Sequence, residues 1–251
     1  MKSNQLFLIA LLLVTIASCK KDDNKTITYD GEAVNVGNGK AHTFVTLDKN
    51  QKPLTIGIKM TAAALDGLPT EGDPNMGGEI PPYMLTMPPE ASSSGFNHSE
   101  LDWNPHGHDP AFAYGVPHFD FHFYLVTPQE QAAVIPGPDT VAVDPKYVPK
   151  DYVSGVMAVP NMGTHWVDTT SGEFNGKPFT ITFIYGFYHG NMTFLEPMIT
   201  RDYLLQKPDV VLPIKQPQTF QRHGYYPKQA HLYFDNSNQQ YVIALEGLEY
   251  R

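Results

Sequence analysis

The sequence predicts a mainly β fold, an antiparallel sandwich or barrel-like domain with long loops and one or two short helices. Three observations carry that expectation. Glycine and proline are abundant, 20 and 22 of 251 residues, and they punctuate the chain as turns. Several segments alternate apolar and polar side chains with the two-residue period of a strand. Long stretches with helical periodicity are nearly absent.

In chain order, residues 1–5 form a short n-region with one lysine, and residues 6–17 form an apolar run that ends at Ser18-Cys19. The run is shorter than the about 20 apolar residues a spanning helix needs, and it fits the core of a signal peptide over residues 1–18. Ile16-Ala17-Ser18-Cys19 resembles the lipobox of bacterial lipoproteins, which implies cleavage before Cys19 and its acylation, palmitate included. Lys20-Lys21-Asp22-Asp23 resembles the export signal of Bacteroidetes surface lipoproteins. These resemblances imply an outer-membrane lipoprotein whose domain faces outward. Residues 19–28 read as the lipidated cysteine and a flexible tether.

The rest, residues 29–251, reads as one β-rich domain with a central His-rich region over about 96–200. Strands are expected at 41–47 and 54–60, joined as a hairpin through 48–53. A short helix is expected over 61–68, with Thr61 as its N-cap. A third strand follows at 83–87. Residues 90–117 show no clear period but hold His98, Trp103, His106 and His108, which marks a functional loop. Residues 118–126 are the clearest strand. Further strands are expected at 153–159, 179–186 and 192–198, the last entered through a turn at Asn191. Thr200 is placed to cap a short helix through Leu205. The chain closes on a hairpin, 230–234 and 240–245. No internal repeat is present.

The formal net charge of −9 argues against nucleic acid and against a polybasic membrane contact. The membrane attachment is then the lipid alone. Cys19 is the only cysteine, so internal disulfides, Cys-based zinc sites and thiol nucleophiles are excluded. No Gly-x-Ser-x-Gly elbow, His-Glu-x-x-His helix or phosphate-cradling glycine loop occurs.

The chemistry concentrates in Pro117-His118-Phe119-Asp120-Phe121-His122-Phe123-Tyr124. In a strand, His118, Asp120, His122 and Tyr124 share one face and the three phenylalanines the other. An imidazole–carboxylate–imidazole row is the make-up of a metal or acid–base site. His118 and His122 are about 13 Å apart on a straight strand, too far for both to bind one ion without a bend. His108 follows a Pro-rich turn upstream, and His165 sits beside Trp166 after a Gly turn. Glu196 is a lone charge in an apolar run, where it needs a partner. Histidines and a carboxylate suit zinc or a similar divalent ion. The expected metal ligands are His108, His118, His122, His165 and Glu196, with Asp120 orienting an imidazole. His106 reads as a loop-surface residue, and His42, His189, His223 and His231 as surface or structural histidines.

Asp102-Trp103-Asn104-Pro105-x-Gly107-His108-x-Pro110, the string at 117–124 and Met162-Gly163-x-His165-Trp166 resemble an uncharacterised family of secreted bacterial proteins. Phe194-x-Glu196-Pro197-Met198 and Gly224-Tyr225-Tyr226-Pro227 match the same pattern, so the resemblance covers most of the mature chain. The family includes a Thermus protein under sigma-E/anti-sigma-E control. It implies a β-rich, ring-forming homo-oligomer and a shared site, without naming a reaction. The alternating histidines also resemble those of cupins, although the cupin His-x-His pairing with a nearby Glu is not reproduced.

Two function classes remain. In the first, the chain is a cell-envelope binding or envelope-stress module with a structural or sequestering metal. In the alternative, it is a metal-dependent hydrolase or other metalloenzyme acting on a small substrate, which requires an open coordination position.

Overall fold

The computed structural model describes residues 25–72 and 80–251. The expected signal peptide and Cys19 lie outside the described residues.

The chain first lays down β1 (Ile27–Asp30), β2 (Val34–Val36), β3 (Gly39–Leu47) and β4 (Pro53–Thr61). It then builds a second sheet from β5 (Tyr83–Thr86), β6 (His98–Asn104) and β7 (His118–Tyr124). Two short helices flank β7, α1 (Ala111–Tyr114) before it and α2 (Pro128–Ala132) after it. A two-stranded ribbon joins β8 (Gly137–Pro138) to β10 (Met157–Ala158), with β9 (Tyr152–Ser154) between them in sequence. The second sheet is completed by β11 (Thr164–Asp168), β12 (Ile181–Tyr188) and β13 (Asn191–Thr200), after which α3 (Arg201–Leu205) turns the chain back. β14 (Val210–Pro213), β16 (Gln229–Asp235) and β17 (Gln240–Glu246) rejoin the first sheet, while β15 (Tyr225–Tyr226) pairs with β18 (Glu249–Tyr250).

The first sheet runs β1-β3-β4-β17-β16-β14, with β2 also on β3, and the second runs β5-β6-β7-β13-β12-β11-β9. Every named pairing is antiparallel. Neither sheet closes on itself, so of the two expected architectures the chain adopts the sandwich. Alternation fills the space between the sheets. Ile56, Ile58 and Met60 of β4, Ile243 and Leu245 of β17, and Ala230, Leu232 and Phe234 of β16 meet Leu101, Phe119, Phe121, Phe123, Phe183, Tyr185 and Leu195 of the second sheet in one core. Burying each such aliphatic or phenyl side chain contributes roughly 1.5–3 kcal/mol.

Four expectations are corrected in detail. The helix expected over 61–68 is a single 3-10 turn, Ala62–Leu65, and Thr61 does not cap it. Instead, the Thr61 hydroxyl accepts a hydrogen bond from the Lys40 amide. The irregular stretch 90–117 contains a full strand, β6. The turn into β13 falls on His189 and Gly190, both at positive φ, and Asn191 is already in the strand. The tether gives way to β1 at Ile27, which pairs with Leu47.

Candidate metal centre

The second sheet has an outer face turned away from the core, and that face is polar at its centre. Along β7 the three phenylalanines enter the core, while His118, Asp120, His122 and Tyr124 lie on the other side, all buried. β6 lies beside it in register, with Glu100 opposite His122, Asp102 opposite Asp120 and Asn104 opposite His118. β13 supplies Glu196 from the other flank. The β7–β13 ladder pairs Leu195 with Phe123 and Met198 with Asp120 but skips the positions between. Pro197 stands in that gap, and its ring nitrogen has no hydrogen to give to a ladder. β11 supplies His165, which sits opposite Gly186 of β12.

The histidines and acids form two sets. In the inner set, His122 Nε2 is 3.5 Å from Glu196 Oε1, and His165 Nε2 is 3.7 Å from Glu196 Oε2. In the outer set, His118 Nε2 is 3.2 Å from Asp120 Oδ1, and His108 Nε2 is 3.5 Å from Asp120 Oδ2. Within each set, one donor atom from each of the three residues lies within 4.8 Å of the others. The sequence-based reading gathered these residues around one ion. The fold divides them, with His118 and His122 in different sets, as their spacing along a straight strand requires.

The far side of each ring is occupied. His122 Nδ1 donates to Asp102 Oδ2 at 3.0 Å, His118 Nδ1 to the Val116 carbonyl at 2.6 Å, and His108 Nδ1 to the Asp109 carbonyl at 2.9 Å. His165 is held by the Gly163 backbone. Such bonds fix the tautomer and turn Nε2 toward the cluster, as carboxylates and carbonyls behind metal-bound histidines do. Asn104 Nδ2 donates to Asp120 Oδ2 at 2.7 Å. Toward the cluster the picture reverses. His118 Nε2, Asp120 Oδ1, His122 Nε2 and Glu196 Oε2 are buried with no hydrogen-bond partner among the described residues. Each faces an oppositely charged group of its own set at 3.2–3.7 Å without a hydrogen bond, an arrangement that is costly for buried polar atoms.

Charge behaves accordingly. Burial opposes protonation of His122, but Glu196 and Asp102 outweigh it and lift its pKa to about 10. Burial pushes the Glu196 carboxyl up to about 8. Burial, together with the neighbouring His122, depresses His165 to about 3. For His108 burial also works against the charge, yet Asp120 prevails and raises it to about 9. Asp120 is held below the usual carboxylate range: burial disfavours its charge, and His108 and His118 overcome that. A cation seated here would compete with the protons that their carboxylate neighbours favour on His108 and His122.

Aromatic rings pack closely on this face. The Phe194 ring lies 4.7 Å from His122 and 5.1 Å from His165, centroid to centroid. A Cβ on Gly186 would fall 2.2 Å from that ring, so only glycine leaves it room. Tyr114 and Phe179 cover the outer set, with Phe179 5.4 Å from His118. Gly107, at φ +69, brings the loop so close to the Tyr114 carbonyl that a side chain would collide with it, and His108 follows directly. Solvent reaches the sets through His108 and His165, whose side chains are 39% and 24% exposed.

Sequence reasoning missed Glu100, Asp102, Asn104 and Gln131. Gln131 Nε2 donates to Glu100 Oε1 at 2.7 Å and its Oε1 accepts from His98 Nε2 at 2.9 Å. The signal for three of them was the weak alternation of His98-Ser99-Glu100-Leu101-Asp102-Trp103-Asn104. His106 bonds the Thr70 carbonyl on the surface, and His231 bridges Asp209 and Glu246 on β16, both outside the cluster.

Fold and face together define a two-sheet β-sandwich with paired histidine–carboxylate sets buried on the outer face of its second sheet. Residues 48–103 match the family model TTHB210-like, described as hypothetical protein TTHB210, and there the chain is similar to the uncharacterised Thermus-type family. The matched stretch includes Glu100 and Asp102 and ends before the histidines of either set. No curated protein and no solved structure matches the chain.

Proposed function

We propose that the protein is a metal-binding module of the cell envelope, in which His122, His165 and Glu196 hold a divalent ion, zinc before others. One observation carries this reading. His122 Nε2, facing Glu196 Oε1, and Glu196 Oε2, facing His165 Nε2, are buried and lack a hydrogen-bond partner among the described residues. Two imidazole nitrogens and a carboxylate oxygen are a donor set that zinc and related ions take. The carboxylate of Asp102 behind His122 adds the outer hydrogen bond such ligands use. As a binding or envelope-stress module, the chain would sequester the ion or be stabilised by it.

Elemental analysis tests this on protein purified without a polyhistidine tag. Near-stoichiometric zinc, manganese, iron or copper is the expected result. No metal after reloading would leave a hydrogen-bonded polar cluster and overturn the reading.

A metal-dependent hydrolase is the second reading, because three protein ligands leave a coordination position open, as in catalytic zinc sites. A bound ion would then supply an activated water. The partial exposure of His108 and His165 beside otherwise buried ligands suits small substrates. Metal-dependent cleavage of a small ester, lost in Glu196→Gln, is its test.

The envelope location rests on residues 16–19 of the sequence. Anchoring through Cys19 predicts that Cys19→Ser remains unprocessed and takes up no palmitate label. Normal labelling of that variant would refute the anchor.

A further inference from the structure

The geometry points to a second, separate metal site on the same face: His108, His118 and Asp120 hold their own divalent ion, so that the chain takes up two. This rests on the metal reading of the inner set and extends it to a different stoichiometry.

The outer set is built as a site in its own right. His118 is fully buried, Asp120 nearly so, and the His118 Nε2 and Asp120 Oδ1 that face each other have no hydrogen-bond partner among the described residues. The remaining polar atoms of the set are already engaged from behind, by Val116, Asp109 and Asn104. One ligand atom from each of the two histidines and one from the carboxylate lie within 4.8 Å of one another. That is the same two-imidazole, one-carboxylate donor set as its neighbour.

One ion cannot serve both sets. Zinc–nitrogen bonds are about 2.0–2.1 Å, so two imidazole nitrogens on one ion stand roughly 4 Å apart at most. His118 and His122 lie four residues apart on β7, roughly 13 Å between Cα atoms in an extended strand, and their Nε2 atoms face different carboxylates, Asp120 and Glu196.

Charge gives an independent argument. Glu100, Asp102, Asp120 and Glu196 crowd one buried or half-buried sheet face. Among the described residues, none of the four makes an ion pair with a lysine or arginine. Asp102 and Asp120 stand directly opposite each other across β6 and β7, a placement that is unfavourable for like charges. Cations at both sets would balance these acids where a single ion leaves Asp120 to its two histidines. The sets also differ in access. His108 arrives on a loop and is the more exposed of the two solvent-facing histidines, so the outer ion exchanges faster.

The test is a count. The whole protein is stripped with a chelator, reloaded with zinc alone, desalted and analysed, with calorimetric titration alongside. Two zinc ions per chain are expected. His108→Ala, a partly exposed loop position, should weaken one of them by more than about tenfold and leave the other unchanged. Asp120→Asn, which keeps its shape, should do the same, while His165→Ala should remove the other ion. Thermal melts of each variant establish that it is folded. One ion that His165→Ala abolishes and His108→Ala leaves intact would overturn the second site and spare the first. A single ion lost in both variants would mean one shared centre and overturn the two-site geometry. No ion at all would overturn the metal reading with it.

Discussion

Gly186 shows how much of the site depends on a side chain that is absent. Its missing Cβ is the space in which the Phe194 ring lies, and that ring is packed against both His122 and His165. Gly186→Ala should therefore push Phe194 into the imidazoles. Overpacking of this kind costs about 1–3 kcal/mol, to be read as a lower denaturation midpoint, and zinc affinity at the inner set should fall with it. An unchanged midpoint would show that the ring has room to move. At this scale the sequence was legible where a residue was out of place in its own neighbourhood. Glu196 stood out as a charge among apolar residues, and His118 and His122 as polar beats in a row of phenylalanines. The role of Asp102 was not legible, because it lies in a partner twenty residues away across a strand pair, and the weak alternation around it does not reveal that partner.

Among the elements, β7 was plain and β6 was not, although they carry the same face. Phenylalanine at every other position makes β7 unmistakable. In β6 the inward positions include Ser99, and the outward ones are Glu100, Asp102 and Asn104, residue types depleted from strands. Their pairing with β7 overrides that propensity. α2 escaped the sequence reading as well, despite a complete capping box in which Thr127 accepts from the Glu130 amide and Glu130 accepts from the Thr127 amide. This five-residue helix positions Gln131, the link between His98 and Glu100. Thr127→Ala should cost about 1 kcal/mol of stability, measurable in a urea melt, and should speed hydrogen exchange at the Glu130 and Gln131 amides. Unaltered exchange there would show that packing alone holds α2. The Thr200 cap of α3 was read correctly, since its hydroxyl does accept from the Tyr203 amide.

For the molecule as a whole, composition and alternation were enough to predict a β protein, and the absence of closure in either sheet decided for a sandwich. The division of the histidines into two sets emerged only once five strands were placed side by side. An ion that binds the folded chain and not the unfolded one adds stability in proportion to the logarithm of its excess over Kd. Chelator treatment should therefore lower the melting temperature, and added zinc should restore it in a concentration-dependent way. A melting temperature indifferent to both would argue against occupancy of either set.

The order of the strands also has a bearing on how the chain comes to be folded. Residues 83–200 contain every strand of the second sheet in one uninterrupted length. The first sheet is clasped together from both ends of the chain, through the β4–β17 pairing. During synthesis, the histidine-bearing sheet can pair with itself while β17 is still to come. Until β16 and β17 arrive, the cover over Phe119, Phe121 and Phe123 is incomplete, and the apolar surface left open is exposed to aggregation. The nascent chain is thus most in need of a holding chaperone during the interval between residue 200 and residue 246.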